Sequence, residues 1–222
     1  MLGYFEPLPG GGASIALDEA QVSILRSFAV QLLELIGPGQ DAVGGADPLD
    51  ALFAEGPTEP PSDPALARLF PDAYVDPAAP LPGPGDSEAA RAAEEARAAS
   101  AEFRRYTEND LRARKREDAL AVVRSLDAVG SRLAAEREAG DGGDGGEGAT
   151  GPAAVLELDP ELSRRWLGTL NDLRLAVGTR LEVSDEADGS ELLRLPDSDP
   201  RKPMAVAYIW LGELQETLVE TL

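Results

Sequence analysis

The side chains best suited to binding chemistry in this 222-residue sequence form one basic cluster between positions 104 and 116. This segment contains six bases and only two acids. Guanidinium and ammonium groups bind carboxylates and phosphates, so the cluster is a candidate docking strip for an acidic protein or a phosphate backbone. Acids flank the cluster closely, and a solvated, charge-balanced helix face is the alternative interpretation. The six candidate partner-binding residues are Arg104, Arg105, Arg112, Arg114, Lys115 and Arg116.

Two aromatic residues near the end of the sequence, Tyr208 and Trp210, are further candidates for partner binding. Tryptophan and tyrosine are enriched in the binding hot spots of protein interfaces, and the only tryptophans here are Trp166 and Trp210. Both lie in amphipathic segments, so packing in the core is the alternative for each of them. Asn171 and Asp172 interrupt the apolar pattern after Trp166. They either contact a neighbouring helix end or face water.

The residue types that are missing exclude most enzyme chemistry. The sequence has no histidine and no cysteine, which excludes Ser-His-Asp catalysis, Cys-His catalysis and the usual zinc sites. The 41 carboxylates produce close pairs by chance, so such pairs mark no catalytic site. We therefore expect a protein that is not an enzyme, with no catalytic residues, no cofactor and no metal.

A glycine-rich run resembles a dinucleotide-binding loop in its spacing only. Gly140, Gly142 and Gly145 fit the G-x-G-x-x-G string. That loop needs a strand before it and a helix start after it, and neither is predicted here. Its aspartates would repel pyrophosphate, and their spacing matches no calcium-binding loop. The run predicts a disordered Gly/Asp-rich loop over 139–153.

Charge narrows the class of partner. The formal net charge is −21, with the acids concentrated in 1–86 and 139–222 around a neutral, Arg-rich middle. Such a field repels polyanions, so it opposes nucleic acid and anionic lipid as direct ligands. No segment is apolar and long enough for a membrane span, and no secretory pattern is visible at the start. With no cysteine, these features favour a cytoplasmic protein.

Local patterns predict the first elements. Residues 4–8 and 13–17 flank a Pro-Gly-Gly-Gly turn and predict a β-hairpin. Asp18 and Gln21 form a capping box ahead of an apolar helix face that ends at Gly37. Two short helices are expected over 48–54 and 64–69, followed by a Pro/Gly linker over 76–86.

The remaining pattern is mostly helical. A helical pattern of about fifty residues starts at Ser87, and Thr107 with Asp110 suggests a restart within it. Asp159-Pro160 predicts a further helix start, and a last helix begins near Pro203. Segments 181–183 and 192–195 are candidates for a second short hairpin. The predicted fold is mainly α, a single helical domain over 1–222 arranged as a helical bundle with a small N-terminal β-hairpin.

Four stretches together resemble an actinobacterial domain-of-unknown-function family. Some of its members are described as AosR-like oxidative-stress transcriptional regulators. The last two stretches are the more specific ones. With the N-terminal hairpin and helix, the resemblance covers most of the chain outside the linkers. The stretches are DPALARLFPDAY (63–74), YTENDLRARKR (106–116), RWLGTLNDLRLAVGTRLEV (165–183) and AYIWLGELQETLV (207–219).

The resemblance implies a cytoplasmic regulator that acts with an alternative sigma factor of RNA polymerase in redox defence. Redox-sensing cysteines are reported in the family, and this chain has none, so a thiol switch cannot operate in it. An acidic protein suits association with basic, DNA-binding proteins such as sigma factors. Two alternatives stay open: direct DNA binding through the Arg-rich helix, and an adaptor of a proteolytic or sulfur-transfer system.

Overall fold

The computed structural model describes residues 3–38, 55–75, 82–83, 85–140, 153–183 and 190–222. These residues are mainly helical, with a small antiparallel sheet, which confirms the predicted fold class. In chain order the elements are β1 (Glu6–Pro7), β2 (Ala13–Asp18), α1 (Glu19–Ile36), α2 (Pro64–Leu69), α3 (Ser87–Gly140), β3 (Ala153–Leu158), α4 (Pro160–Arg180), α5 (Ser190–Leu193) and α6 (Lys202–Val219).

The chain divides into two compact units. The central unit is the contiguous segment 36–114, and the composite unit combines 1–35 with 115–222. Helix α3 runs through the boundary, so it contributes its first half to one unit and its second half to the other. That residues 1–222 form a single domain stays a prediction.

The sheet of the composite unit has the strand order β1-β2-β3, with antiparallel pairing throughout. The predicted N-terminal hairpin is confirmed as the β1–β2 pair. Strand β3 was not predicted, and it pairs along the full length of β2, from Ala13 opposite Leu158 to Asp18 opposite Ala153. Alternate residues of both strands are buried, as expected for a sheet with one face on the core.

Helix α1 begins and ends where the sequence predicts. The backbone N–H of Asp18 donates to Gln21 Oε1 at 3.0 Å, and the N–H of Gln21 donates to Asp18 Oδ1 at 2.8 Å. These two bonds form the capping box. Gly37 follows the last helical residue with φ +85°, a conformation that suits glycine. The apolar face is buried along the helix, at Val22, Leu25, Ala29, Leu32 and Ile36.

The predicted restart within the long helix is wrong. Helix α3 continues from Ser87 to Gly140 without a break. Thr107 does not cap a new start, because its hydroxyl donates to the carbonyl of Phe103 one turn earlier, at 2.8 Å. The second half of the helix buries an apolar stripe in the composite unit, formed by Ala119, Val122, Val123, Leu126, Val129 and Leu133.

The other helices begin at aspartate caps or after short turns. Asp63 caps α2 by accepting from the N–H of Leu66, and Asp159 caps α4 by accepting from Glu161 and Leu162, at 2.8–2.9 Å. Both helices were predicted at these positions. Helix α6 begins at Lys202 and buries Trp210, Leu211, Leu214 and Leu218. No helix of the described residues is both long and apolar enough to cross a membrane.

Two predicted segments need correction and others lie outside the described residues. The second hairpin is wrong, because residues 190–193 form the short helix α5 rather than a strand. The loop predicted over 139–153 is shorter, since α3 extends through Gly140 and Ala153 already belongs to β3. The helix predicted over 48–54, most of the 76–86 linker and residues 141–152 lie outside the described residues.

Candidate functional site

The basic cluster makes contacts within the protein itself, beginning with Arg104 in the central unit. The side chain of Arg104 is only 4% exposed. Its guanidinium donates to the carbonyl of Phe70 at 3.0 Å, to Asp72 Oδ1 at 2.8 Å and to Glu108. Arg104 therefore joins α3 to the end of α2, and it presents little charge to solvent.

Glu108 binds a second guanidinium, that of Arg112. Its Oε1 accepts from Arg112 Nε at 2.8 Å, and the Glu108 side chain is 2% exposed. Arg112 also donates to the carbonyl of Ile36 at 2.7 Å and lies 4.4 Å from the centre of the Phe70 ring. The Glu108 carboxylate thus binds Arg104, one turn earlier on α3, and Arg112, one turn later. This network is the polar centre of the central unit.

Arg105 and Arg114 are the more exposed members of the cluster in the central unit. Arg105 pairs with the carboxylate of Glu55, and its guanidinium lies 5.4 Å from the centre of the Tyr106 ring. Arg114 is exposed on the surface of α3. Of the four arginines that this unit takes from the cluster, Arg114 is the one whose charge is most accessible to a partner.

The last two bases of the cluster belong to the composite unit. Lys115 Nζ donates to Asp172 Oδ1 at 2.6 Å, with the side chains 18% and 5% exposed. Arg116 donates to the carbonyl of Leu33 at 3.2 Å. Burial raises the pKa of the Asp172 carboxyl above its ordinary value, although the hydrogen bond from Lys115 opposes this shift. The structure thus resolves one open alternative: Asp172 binds a neighbouring helix, α3.

Trp210 is 6% exposed, so it packs in the core of the composite unit. Tyr208 is half-buried, with its ring 5.4 Å from the guanidinium of Arg174 and packed closely on Gly178. Trp166 is 1% exposed and donates from its indole N–H to Ser125 Oγ at 3.1 Å. Both tryptophans therefore occupy core positions. Partner contacts by Tyr208, Trp210 and the basic cluster stay predictions.

A surface feature that the sequence analysis did not single out lies on the central unit. Tyr74, Phe103 and Tyr106, here called the aromatic patch, are 59%, 47% and 63% exposed. The rings of Tyr74 and Phe103 meet edge to face with centres 6.0 Å apart, and the N–H of Tyr74 donates to Ser100 Oγ at 3.0 Å. Two aromatic residues spaced three apart in an otherwise polar helical stretch were the available signal.

Acids surround this patch on helix α3. Glu102 and Asp110 are both exposed, and they lie four residues before and four residues after Tyr106. Arg105, which precedes Tyr106 in the chain, pairs with Glu55. The patch therefore combines accessible aromatic faces with exposed carboxylates beside them. No group of three or more acids among the described residues could hold a metal ion.

Comparison with known proteins places the chain in a family. A family profile described as a domain of unknown function, DUF2017, matches residues 4–222. The chain belongs to the DUF2017 family. The family description names no activity, so the assignment leaves the function open.

Named relatives come from mycobacteria. The oxidative stress regulators AosR of Mycobacterium bovis and Mycobacterium tuberculosis are each 29% identical to this chain over 209 residues. These alignments cover 93% of this chain and 79% of each relative. A relative from Mycobacterium leprae is 27% identical over 204 residues, covering 90% of this chain and 77% of its own length. No solved structure matches.

Proposed function

We propose that this protein is a cytoplasmic, non-enzymatic regulator that acts by binding another protein, and that its partner is a sigma factor of RNA polymerase. The names of the mycobacterial relatives support the regulatory role. The acidic composition and the family resemblance support a basic, DNA-binding partner, because opposite charges speed and orient the encounter.

The proposal rests mainly on the observation that the basic cluster forms hydrogen bonds and ion pairs with groups of its own chain. Five of its six bases, all except Arg114, bind carboxylates or carbonyls of the same chain. A phosphate backbone needs several accessible cations, and these five side chains are already engaged. The chain carries 41 acids and 20 bases, and this excess of negative charge favours a basic protein over DNA as the partner.

The absence of cysteine constrains the mechanism. The chain cannot form a disulfide or a sulfenic acid, so it cannot detect an oxidant through a thiol. We propose that any stress signal reaches this protein through its partner or through its abundance. The chain then acts by occupying a partner surface rather than by switching its own redox state.

The test is direct binding to purified components. The tagged full chain is first used for affinity capture from its native host after nuclease treatment, and captured sigma factors or polymerase subunits are then purified. Each purified candidate is titrated into the chain by calorimetry at low and at high salt. We expect one-to-one binding that weakens as salt rises, because salt screens the electrostatic attraction. Failure to bind every sigma factor and polymerase subunit of that host would reject the proposal.

The two alternative functions predict different results in the same experiments. A direct DNA binder shifts duplex DNA at low salt and loses that binding steeply as salt rises. An adaptor co-purifies with a protease or a sulfur-transfer enzyme and leaves transcription unchanged. Charge reversal at Arg114, the exposed base of the cluster, weakens DNA binding in the first case and leaves sigma-factor binding unaffected or stronger under our proposal.

A further inference from the structure

We infer that the aromatic patch on the central unit is a docking surface, and that its occupant is a segment of a basic protein that places Lys or Arg side chains against the exposed rings. This inference rests on the proposed function, because it names the surface through which the regulator engages its partner. It differs from the sequence-based candidates, which lie in the basic cluster and in helix α6.

The first argument is the exposure of three aromatic side chains together. Aromatic residues make up only 5% of the chain, and those of the described core, such as Phe5 and Trp166, are almost completely buried. The patch rings are between 47% and 63% exposed instead. Leaving such large apolar surfaces in water forgoes the stabilisation that burial provides. A partner that covers Tyr74, Phe103 and Tyr106 recovers it.

The second argument is the shape of the surface along α3. Ala99, Phe103, Tyr106 and Asp110 follow one another at spacings of four, three and four, so they lie along one side of the helix. All four are exposed, and the stripe is about 16 Å long at 1.5 Å per residue. An apolar stripe at helical spacing in a globular protein normally packs on another element, and Ala99, Phe103 and Tyr106 are the apolar members here. A stripe of this length matches two to three turns of a partner helix.

The third argument is charge, which selects the class of occupant. Glu102 and Asp110 flank Tyr106, and Arg105 is neutralised by Glu55. The sequence of the central unit has 15 acids and seven bases, a net charge of −8. The faces of aromatic rings attract cations, and nearby carboxylates add a Coulombic attraction for Arg and Lys. Exposed rings beside carboxylates therefore fit a basic segment better than an acidic or neutral one.

A second copy of this chain is the competing occupant, and charge disfavours it. Two identical surfaces would bring the carboxylates of Glu102 and Asp110 of both copies towards each other, and these like charges repel. A basic partner removes that repulsion and adds cation–π contacts. A crosslink formed from position 106 distinguishes the two occupants, because it joins the chain either to a basic protein or to a second copy of itself.

The experiment replaces Tyr106 in the full chain and measures the affinity for the purified sigma factor. Tyr106→Ser removes the most exposed ring, Tyr106→Phe keeps the ring face, and a Glu102→Lys/Asp110→Lys variant reverses the flanking charge. We expect Tyr106→Ser and the charge reversal each to weaken binding about tenfold or more, and Tyr106→Phe to retain it. Circular dichroism verifies that each variant is folded.

Matched controls lie in the composite unit. Tyr4 is 51% exposed, so Tyr4→Ser removes a similarly accessible ring that is not part of the patch. Glu216 is exposed on α6, so Glu216→Lys reverses a charge there. Both controls are expected to bind like the unchanged protein. Equal weakening by Tyr4→Ser and Tyr106→Ser would overturn the assignment of the patch, because the loss would not be specific to it.

A photo-crosslinking amino acid at position 106, compared with the same group at position 4, separates failure of this inference from failure of the proposed function. If the sigma factor binds, but Tyr106→Ser keeps its affinity and position 106 gives no crosslink, the proposed function stands and the patch is rejected. If no sigma factor binds, a crosslinked basic protein that, once purified, loses affinity for Tyr106→Ser rejects the function and supports the patch. Crosslinks to a second copy, to an acidic protein or to nothing overturn the inference.

Discussion

The ammonium of Lys115 lies 2.6 Å from Asp172 Oδ1, and both side chains are largely removed from water. This ion pair joins the second half of α3 to α4 within the composite unit. Neither charge could be buried alone without a large loss of hydration energy. Lys115 therefore belongs to a largely buried ion pair, whereas the sequence pattern indicated an exposed position on the helix surface.

Removal of one partner tests the energy of this pair. We expect Lys115→Met to lower the free energy of unfolding by about 3 kcal/mol, because it leaves the buried Asp172 carboxylate without a partner. The double variant Lys115→Met/Asp172→Leu should recover most of the loss. Urea denaturation followed by circular dichroism measures both. Arg114→Met, an exposed neighbour, is the control and should change stability by less than about 0.5 kcal/mol.

The pKa of Asp172 predicts a dependence on pH. Burial raises this pKa above its ordinary value of 3.8, so the folded state binds the proton more tightly than the unfolded state. The ionised carboxyl is therefore a cost at neutral pH, and that cost disappears as the pH falls through the folded pKa. Relative to the unchanged protein, Asp172→Asn should be more favourable at about pH 7 than at lower pH. Carbon-13 NMR of the carboxyl measures the titration directly, and a midpoint at or below 3.8 would contradict the prediction.

The buried carboxylate of Glu108 is expected to be critical for the central unit. Glu108→Gln removes the charge that binds Arg104 and Arg112, and Arg104 is itself almost completely buried. We expect a loss of about 3 kcal/mol in the free energy of unfolding. Glu102→Gln changes an exposed carboxylate of the same helix and should cost less than about 0.5 kcal/mol. Equal stabilities of the two variants would contradict the assigned role of Glu108.

Two glycines of the β1–β2 turn separate backbone strain from steric overlap. Both have positive φ, +102° at Gly10 and +91° at Gly12. A Cβ at Gly10 would meet nothing within 4 Å, whereas at Gly12 it would lie 2.1 Å from the carbonyl oxygen of Leu158. Gly10→Ala should therefore cost about 1–3 kcal/mol from strain alone, and Gly12→Ala distinctly more. Thermal denaturation of the two variants checks this order.

Local signals predicted the elements whose ends are defined by their own residues. Asp18 with Gln21, Asp63 and Asp159 each form hydrogen bonds with residues two or three positions away, so the chain alone contains the information. Strand β3 carried a local signal too, because Ala154, Leu156 and Leu158 alternate with exposed residues. The six residues of β3 lie between a glycine-rich run and a strong helix start, and these two stronger signals obscured the alternation.

Other features depend on contacts distant in sequence and could not be predicted. Nothing around Arg104 indicates that its partners include the carbonyl of Phe70, 34 residues earlier. The basic cluster therefore looked like a surface strip, although most of it is engaged inside its own unit. Thr107 with Asp110 matched a helix start, yet helical hydrogen bonds on both sides outweighed this local preference.

The pairing of β2 with β3 has a consequence for synthesis on the ribosome. Ala13 and its partner Leu158 are separated by most of the chain, so β2 has an unpaired edge while the intervening residues are translated. At about 5–20 residues per second this interval lasts on the order of ten seconds. The contiguous segment 36–114 emerges entirely within that time. All residues of the central unit are therefore synthesised before β3 exists, and only then can β2, near the start of the chain, pair with it.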